Sequence, residues 1–346
     1  MNKIALITDQ HFQARKNSKE FHDYFLKFYQ EIFFPYLIEN NIKTVIDLGD
    51  TFDNRNYLDP AAIDWAKTNY YDRLQELGID HHVIVGNHTA KLKNTNRISS
   101  VDLILREYPN ITVYSEPTEA VIQNLKILFI PWINKENEKQ TLDLIESTDA
   151  TIAMGHLELN GFTPYKGRVM EDGRNCDPFN KFQKVFSGHY HTRSDNGRIY
   201  YIGNPYELYF NDLDDERGFV IFEPETLDHH YINNPFRMHY QLSYDESSND
   251  NSIGNYQGKI VKLIANKITD FKRFESFVEG LNKQQPMEVK IIQAAEVVEV
   301  DQFETVDTED TLSILHRYVD ETEIEFDKEK VKSIIGSIYQ EVMQAI

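Results

Sequence analysis

Five short segments of this chain combine carboxylates, imidazoles and small residues at spacings suited to holding cations: Asp9-Gln10-His11, Gly49-Asp50, Gly86-Asn87-His88, Gly155-His156 and Gly188-His189-Tyr190-His191. Taken singly, each is common enough to be a polar turn after a strand. Together they supply carboxylate, amide and imidazole donors with no thiolate, a mixed set that suits manganese, iron or zinc at a reactive site and not a structural zinc. On an extended backbone the D-x-H spacing sends Asp9 and His11 to the same side, so both reach one ion. Asp50 has two oxygens with which to bridge a pair of cations. Asn87 offers a neutral oxygen after the tight turn that Gly86 permits, and His189 and His191, again two apart, serve the two ions separately.

The elements that must position these groups are read from periodicity. Short apolar runs at Ile4–Thr8, Thr44–Leu48 and Val83–Val85 predict strands, and helical spacing over Phe21–Asn40 and Pro60–Leu77 predicts helices between them. Further strands are expected at Ile111–Tyr114, Lys126–Ile130, Thr151–Met154, Lys184–Ser187, Ile199–Ile202 and Gly218–Phe222, with a helix near Thr141–Ser147. This is a layered α/β domain, and every candidate ligand falls just after a strand, where open α/β sheets bind their ligands. A polar stretch from Tyr244 to Gly258 reads as a linker or surface loop, and 259–300 as strand, amphipathic helix, strand. The expected organisation is a first domain over 1–235, a small α+β cap over 236–305 and a helical segment over 306–346. In the last, Val331, Ile334, Ile335, Ile338 and Val342 form an apolar stripe with Asp327 as N-cap.

With 346 residues the chain can bury a full core and carry an accessory domain. There is no long apolar run to span a membrane, and Asp9 interrupts the N-terminal apolar stretch far too early for a secretory signal. Cys176 is the single cysteine, so no intramolecular disulfide forms, and a reducing, cytoplasmic setting is expected. The net charge of -20 conflicts with a protein that grips a polyanion through its own surface. Either the substrate is not a polyanion, or metal ions and a partner subunit supply the positive field locally.

The five segments, in this order, resemble the calcineurin-like metallophosphoesterase superfamily over roughly the first two thirds of the chain. Gly49-Asp50-Thr51-Phe52-Asp53-Asn54-Arg55 and the late Gly188-His189-Tyr190-His191 resemble the SbcD and meiotic-recombination-eleven type DNA nucleases. The run from Gly155 to Phe162, Ile130-Pro131-Trp132 and Tyr201-Ile202-Gly203 are similar to the small subunits of T-even-like phage recombination endonucleases. The resemblance implies a layered metallophosphoesterase β-sandwich flanked by helices. It implies one manganese on Asp9, His11, Asp50 and His191 and a second on Asp50, Asn87, His156 and His189, magnesium or another divalent ion being the alternative. His88 corresponds to the histidine that protonates the leaving oxygen, and Asp53 to the position that orients it. Implied too are action on DNA as a duplex 3′-to-5′ exonuclease and single-strand endonuclease in recombination and repair, a homodimer, and a coiled-coil ABC-type ATPase of the SbcC kind bound through the C-terminal region. If the chain is phage-encoded, it works in the host cytoplasm. One departure stands out: Thr89 occupies the place where these nucleases commonly carry Asp after G-N-H.

His22, His81, His82, His229, His230, His239 and His316 fall outside the motifs and are expected at the surface or in packing. Lys91, Lys93 and Arg97, and with them Arg55, Lys166 and Arg168, could touch DNA phosphates, although short basic runs are usually solvated faces. Gly203-Asn204-Pro205 reads as a strand-end turn. Two other functions compete: a phosphatase or cyclic-nucleotide phosphodiesterase on the same metals, and a non-catalytic regulator of an ATPase partner. The nuclease-like run after Gly49 argues against the first, and the complete ligand set against the second.

Overall fold

Ile4–Ile7 is apolar throughout because it is buried on both faces. Ala5 and Ile7 point into a core shared with helices, while Ile4 and Leu6 point into a second core between two sheets. This division organises a computed structural model of the chain, which describes residues 3–246, 253–265, 268–293, 328 and 330–332. Met1–Gln293 form one compact unit and Ala294–Ile346 a second.

The first sheet runs in the order His229–Asn233, Gly218–Phe222, Ile4–Ile7, Thr44–Asp47, Asp80–Ile84, Ile111–Tyr114. The second runs Ser194–Asp195, Ile199–Tyr201, Lys184–Gly188, Ile152–His156, Leu125–Ile130, Thr118–Ile122. Ile4, Leu6, Ile46 and Ile84 of one sheet meet Ile127, Phe129, Met154 and Phe186 of the other, closing the sandwich. In the first sheet Ile4–Ile7, Thr44–Asp47, Asp80–Ile84 and Ile111–Tyr114 are mutually parallel, and in the second so are Leu125–Ile130, Ile152–His156, Lys184–Gly188 and Ile199–Tyr201. Their C-terminal ends carry the five motif segments. The layered α/β sandwich flanked by helices is therefore as the sequence predicts.

Helices cover the outer faces. Ser18 accepts from Phe21 N to start Lys19–Phe28, and Asp59 accepts from Ala61 N to start Pro60–Ala66. Each long helix expected from periodicity is interrupted by a π turn, at Tyr29–Phe33 and Lys67–Tyr71. The extra residue per turn swings Tyr29, Phe33, Tyr70 and Tyr71 inward together, into an aromatic cluster with Phe12, Phe25 and Tyr206. Periodicity at 3.6 cannot show such an insertion.

His81 lies inside this helix-side core, fully buried against the Tyr70 and Tyr71 rings, with no partner for either nitrogen. It is a packed histidine, as expected of a position outside the motifs. Burial, aided by His82, pushes its pKa down to about 3. Below the ordinary value near 6.5 the unfolded chain takes up a proton that the fold refuses, so stability falls as pH drops from about 6.5 toward 3. His81→Leu should flatten this limb, by at most about 1.4 kcal/mol per pH unit. Urea unfolding of both proteins at several pH values checks it, and parallel profiles would refute it.

A third sheet, His239–Tyr244, Ile260–Ala265, Glu288–Gln293, is all parallel, with the helix Phe271–Asn282 packed on one face through Phe274 and Phe277. The expected strand-helix-strand pattern is present, joined by His239–Tyr244, which the reading of the sequence omitted. Among the tail residues, Lys328 and residues 330–332 are helical. The expected N-cap Asp327 and the rest of the apolar stripe beyond Val331 lie outside the described residues. No helix among the described residues is long and apolar enough to cross a membrane.

Candidate metal centre

Asp9 and His11 follow the first strand, but not on an extended backbone. Both adopt left-handed φ, 50° and 46°, so the expected strand alternation is not what aligns them. The segment instead runs beside the turn after the second strand, with Asp9 N on Gly49 O at 2.9 Å, His11 N on Asp50 O at 3.0 Å and Phe12 N on Thr51 O at 2.8 Å. Buried Asp47 ties the two turns together. Its carboxylate accepts from Gln10 Nε2 at 2.8 Å, Gly49 N at 2.9 Å and Thr51 Oγ1 at 2.7 Å, and Tyr29 Oη donates to Gln10 Oε1.

Two groups of ligand atoms result, with His11, Asp53 and His88 forming a third that shares His11 with the first. In one, Asp9, His11 and His191 offer an oxygen and two nitrogens within 4.8 Å of one another, the His11 and His191 Nε2 atoms being 3.1 Å apart. In the other, Asp50, His156 and His189 do the same, and Asn87 Oδ1 lies 3.0 Å from His156 Nε2 and 2.9 Å from His189 Nδ1. All seven expected ligand residues thus meet at one edge of the sandwich. His189 and His191 part to the two groups.

The donor set fits cations. His156 Nδ1 donates to Leu48 O at 2.8 Å, so a neutral ring turns the lone pair of Nε2 toward Asp50 Oδ2 at 3.1 Å and toward Asn87 Oδ1. Acceptors facing acceptors require a positive charge between them. In the protein alone a proton fills that need: burial opposes it, yet Asp50 and Asp9 raise the His156 pKa to about 9. Burial likewise opposes ionisation of Asp50, and His156, His88 and His11 outweigh it, holding the carboxyl far below its usual range. At His191, burial, then His11 and Arg217, keep the imidazole neutral, the form a cation needs.

His88 stands beside both groups, its ring 5.0 Å from that of His11 in an edge-to-face arrangement. Its backbone N donates to Asp50 Oδ1 at 2.8 Å, and its Nδ1 donates to the backbone carbonyl of Asp53 at 2.6 Å. Asp53 therefore holds His88 by main chain, while its carboxylate lies 3.1 Å from His11 Nδ1. Thr89 is buried, and its hydroxyl accepts from Gly86 N and donates to Gly86 O. It closes the turn that presents Asn87 and His88.

Three motif glycines are explained by approach distance. A Cβ at Gly49 would lie 2.5 Å from His156 Nδ1, one at Gly86 2.2 Å from Asp50 Oδ1, and one at Gly188 2.0 Å from Thr8 Oγ1. Gly86→Ala must displace Asp50, at a cost of about 1–3 kcal/mol for overpacking. We expect it to fold less stably and to lose the cation of the Asp50 group. Divalent-cation binding by calorimetry equal to that of the unsubstituted chain would refute this.

Several contributing residues were not among the expected site residues, although Trp132, Glu158 and Asn204 lie in stretches that the sequence singled out. Buried Arg217 donates to the carbonyl of His191, to Asn204 Oδ1, to Asp212 Oδ1 at 3.1 Å and to Asp215 Oδ2 at 2.8 Å. Asn204 N donates to His191 O at 3.2 Å, so the Gly203-Asn204-Pro205 turn supports His191. Trp132 flanks the other group, its ring 5.1 Å from His189. Its carbonyl accepts from the side chains of Asn96, Asn134 and Asn137. Glu158 lies 3.8 Å from His189 Nε2. Of the basic candidates, Lys91 bonds Asn56 at the surface, Arg168 bonds Tyr165, Lys166 reaches the Asp214 carbonyl, and Lys93 and Arg97 are exposed. None of these six, Arg55 included, belongs to either ligand group.

The chain is 30% identical over 321 residues to exonuclease subunit 1 of Enterobacteria phage T4, the match covering 89% of this chain and 90% of that protein. Similar solved structures include a dimetal phosphatase from Danio rerio, at 12% identity over 64% of this chain and 91% of that one, with a TM-score of 0.41. A novel archaeal phosphodiesterase matches at 14% identity over 67% and 99%, with a TM-score of 0.34. A calcineurin-like phosphoesterase from Bacillus subtilis matches at 11% identity over 67% and 88%, with a TM-score of 0.35. No family model matches the sequence.

Proposed function

The chain belongs to the exonuclease subunit 1 family, and on that premise we propose that it is a DNA phosphodiesterase working with two manganese ions, one on each ligand group. The chain is a hydrolase of phosphodiester bonds. The observation that carries the metal reading is the meeting of Asp9, His11 and His191 with Asp50, Asn87, His156 and His189 beside one half-buried histidine. When bound, paired divalent cations lower the pKa of a shared water and neutralise charge developing on the phosphate. Asp50, buried between His156 and the His88 backbone, would help hold the pair. His88, its Nδ1 fixed on the Asp53 carbonyl, gives a proton from Nε2 to the leaving sugar oxygen, a poor leaving group that gains much from protonation. Asp53 positions both His88 and His11.

The activity we assign is 3′-to-5′ degradation of duplex ends and endonucleolytic cutting of single strands, in recombination and repair. Support for a further subunit comes from the name of the phage relative. The partner we assign is a coiled-coil ABC-type ATPase held by residues 306–346, with two copies of this chain per assembly, acting in the cytoplasm. End-labelled duplex DNA with manganese, with and without the ATPase, is the test. Manganese-dependent shortening from the 3′ end is expected. Faster hydrolysis of a chromogenic phosphomonoester than of DNA would replace this reading with a phosphatase, and absence of bound metal with a regulatory scaffold.

A further inference from the structure

The face of the third sheet opposite its helix carries charges that its own core does not explain. Lys262 and Lys290 are direct register partners on neighbouring strands, so both ammonium groups stand on that face. Like charges placed so destabilise a sheet. Among the described residues neither lysine forms an ion pair, and Lys262 lies instead 4.9 Å from the Phe210 ring centre. With Arg15, Phe210 and His239 they line a groove of about 340 Å3. One acid shares it, Glu288, 3.8 Å from Arg15. His239 is almost wholly buried, its Nδ1 held 3.2 Å from Glu207, and its Nε2 has no protein partner.

Two features join this groove to the candidate metal centre. Directly after the His11 segment, Gln13, Arg15, Lys16 and Asn17 have φ of 81°, 56°, 59° and 58°, a left-handed run that non-glycine residues rarely adopt, and it delivers Arg15 to the groove. Tyr209, next to Phe210, is 42% exposed and lies nearly parallel to the His191 ring at 15°, with centroids 6.5 Å apart.

We propose that the groove is a binding subsite for a single nucleic-acid strand: Tyr209 stacks on an unpaired base beside the scissile phosphate, while Arg15, Lys262 and Lys290 hold the phosphates that follow. An exposed ring beside a cationic track is how proteins bind unpaired strands without reading sequence, and a base inside a duplex is already stacked on both faces. The subsite rests on the nuclease reading and deepens it. It also gives an acidic chain its own local positive field, in residues other than the basic runs near the motifs.

The test is anisotropy of a labelled oligonucleotide on the full chain, without divalent metal, across a salt series. Beside it runs manganese-dependent hydrolysis of a small chromogenic phosphodiester, which is too short to reach the lysines. Lys262→Gln/Lys290→Gln should weaken single-strand binding at least about tenfold and flatten the log–log salt slope by about 1.4, from roughly 0.7 per phosphate contact. Its hydrolysis of the small diester should match the unsubstituted chain. Tyr209→Ala should weaken binding of the normal strand and leave an abasic strand unaffected, and Tyr209→Phe should restore it. Unchanged binding or slope in the double variant overturns the subsite, as does an equal loss for blunt duplex. Lost diester hydrolysis in the double variant also overturns it, by making the lysines part of the metal centre. If the unsubstituted chain hydrolyses no diester yet the double variant loses strand binding, the subsite stands and the hydrolase reading falls.

Discussion

His88→Ala should lower phosphodiester cleavage by about two to four orders of magnitude, the range for losing a positioned general acid, the role proposed for it, and should keep its divalent metal. The separation follows from geometry. Asp9, His11 and His191 on one side and Asp50, His156 and His189 on the other close without His88. His88 does lie within 4.8 Å of His11 and Asp53 through its ligand atoms, so the prediction has a definite rival. Elemental analysis alongside rates decides between them: a fall in bound metal would make the ring a ligand, and wild-type cleavage would end its role as acid. Cleavage of a diester with a good leaving group should suffer less, because such an oxygen departs without a proton.

Arg217→Ala should cost about 3–5 kcal/mol, the typical loss when one partner of a buried ion pair is removed. Asp212 and Asp215 then stay in place with their charge uncompensated. Asp212 is fixed by accepting from Leu208 N at 2.7 Å and Tyr209 N at 3.0 Å, and Asp215 by Thr192 Oγ1 at 2.8 Å. Because Arg217 also donates to the His191 carbonyl, metal affinity at the Asp9 group should fall with stability. Urea unfolding and manganese titration measure the two effects. A loss below about 1 kcal/mol would mean that the cluster relaxes into water. Arg217→Lys should recover only part, since one ammonium cannot reproduce a planar fork with four acceptors.

These two residues mark where reading the sequence succeeds and stops. His88 was legible because G-N-H follows an apolar run, and the parallel order of those runs places their ends at one edge. The same logic named the seven residues that meet in the two groups, and the layered class. Arg217 was not legible, because its partners at 191, 204, 212 and 215 gather around it only after the chain returns along the sheet edge. Asp53 shows a subtler limit. Its position promised a group that orients His88 without saying which; the fold turns the carbonyl to His88 and the carboxylate to His11. Residue type alone does not say which of a residue's polar groups is used.

The sequence by itself determined which side chains have chemistry to offer and that strands end beside them, since both follow from composition and local periodicity. Tertiary structure decided how those side chains divide into two groups, why Gly49, Gly86 and Gly188 lack a Cβ, and where the unpaired lysines of the third sheet point. Those outcomes depend on distances between segments remote in the chain, and such distances exist only once the two sheets have closed on a common core.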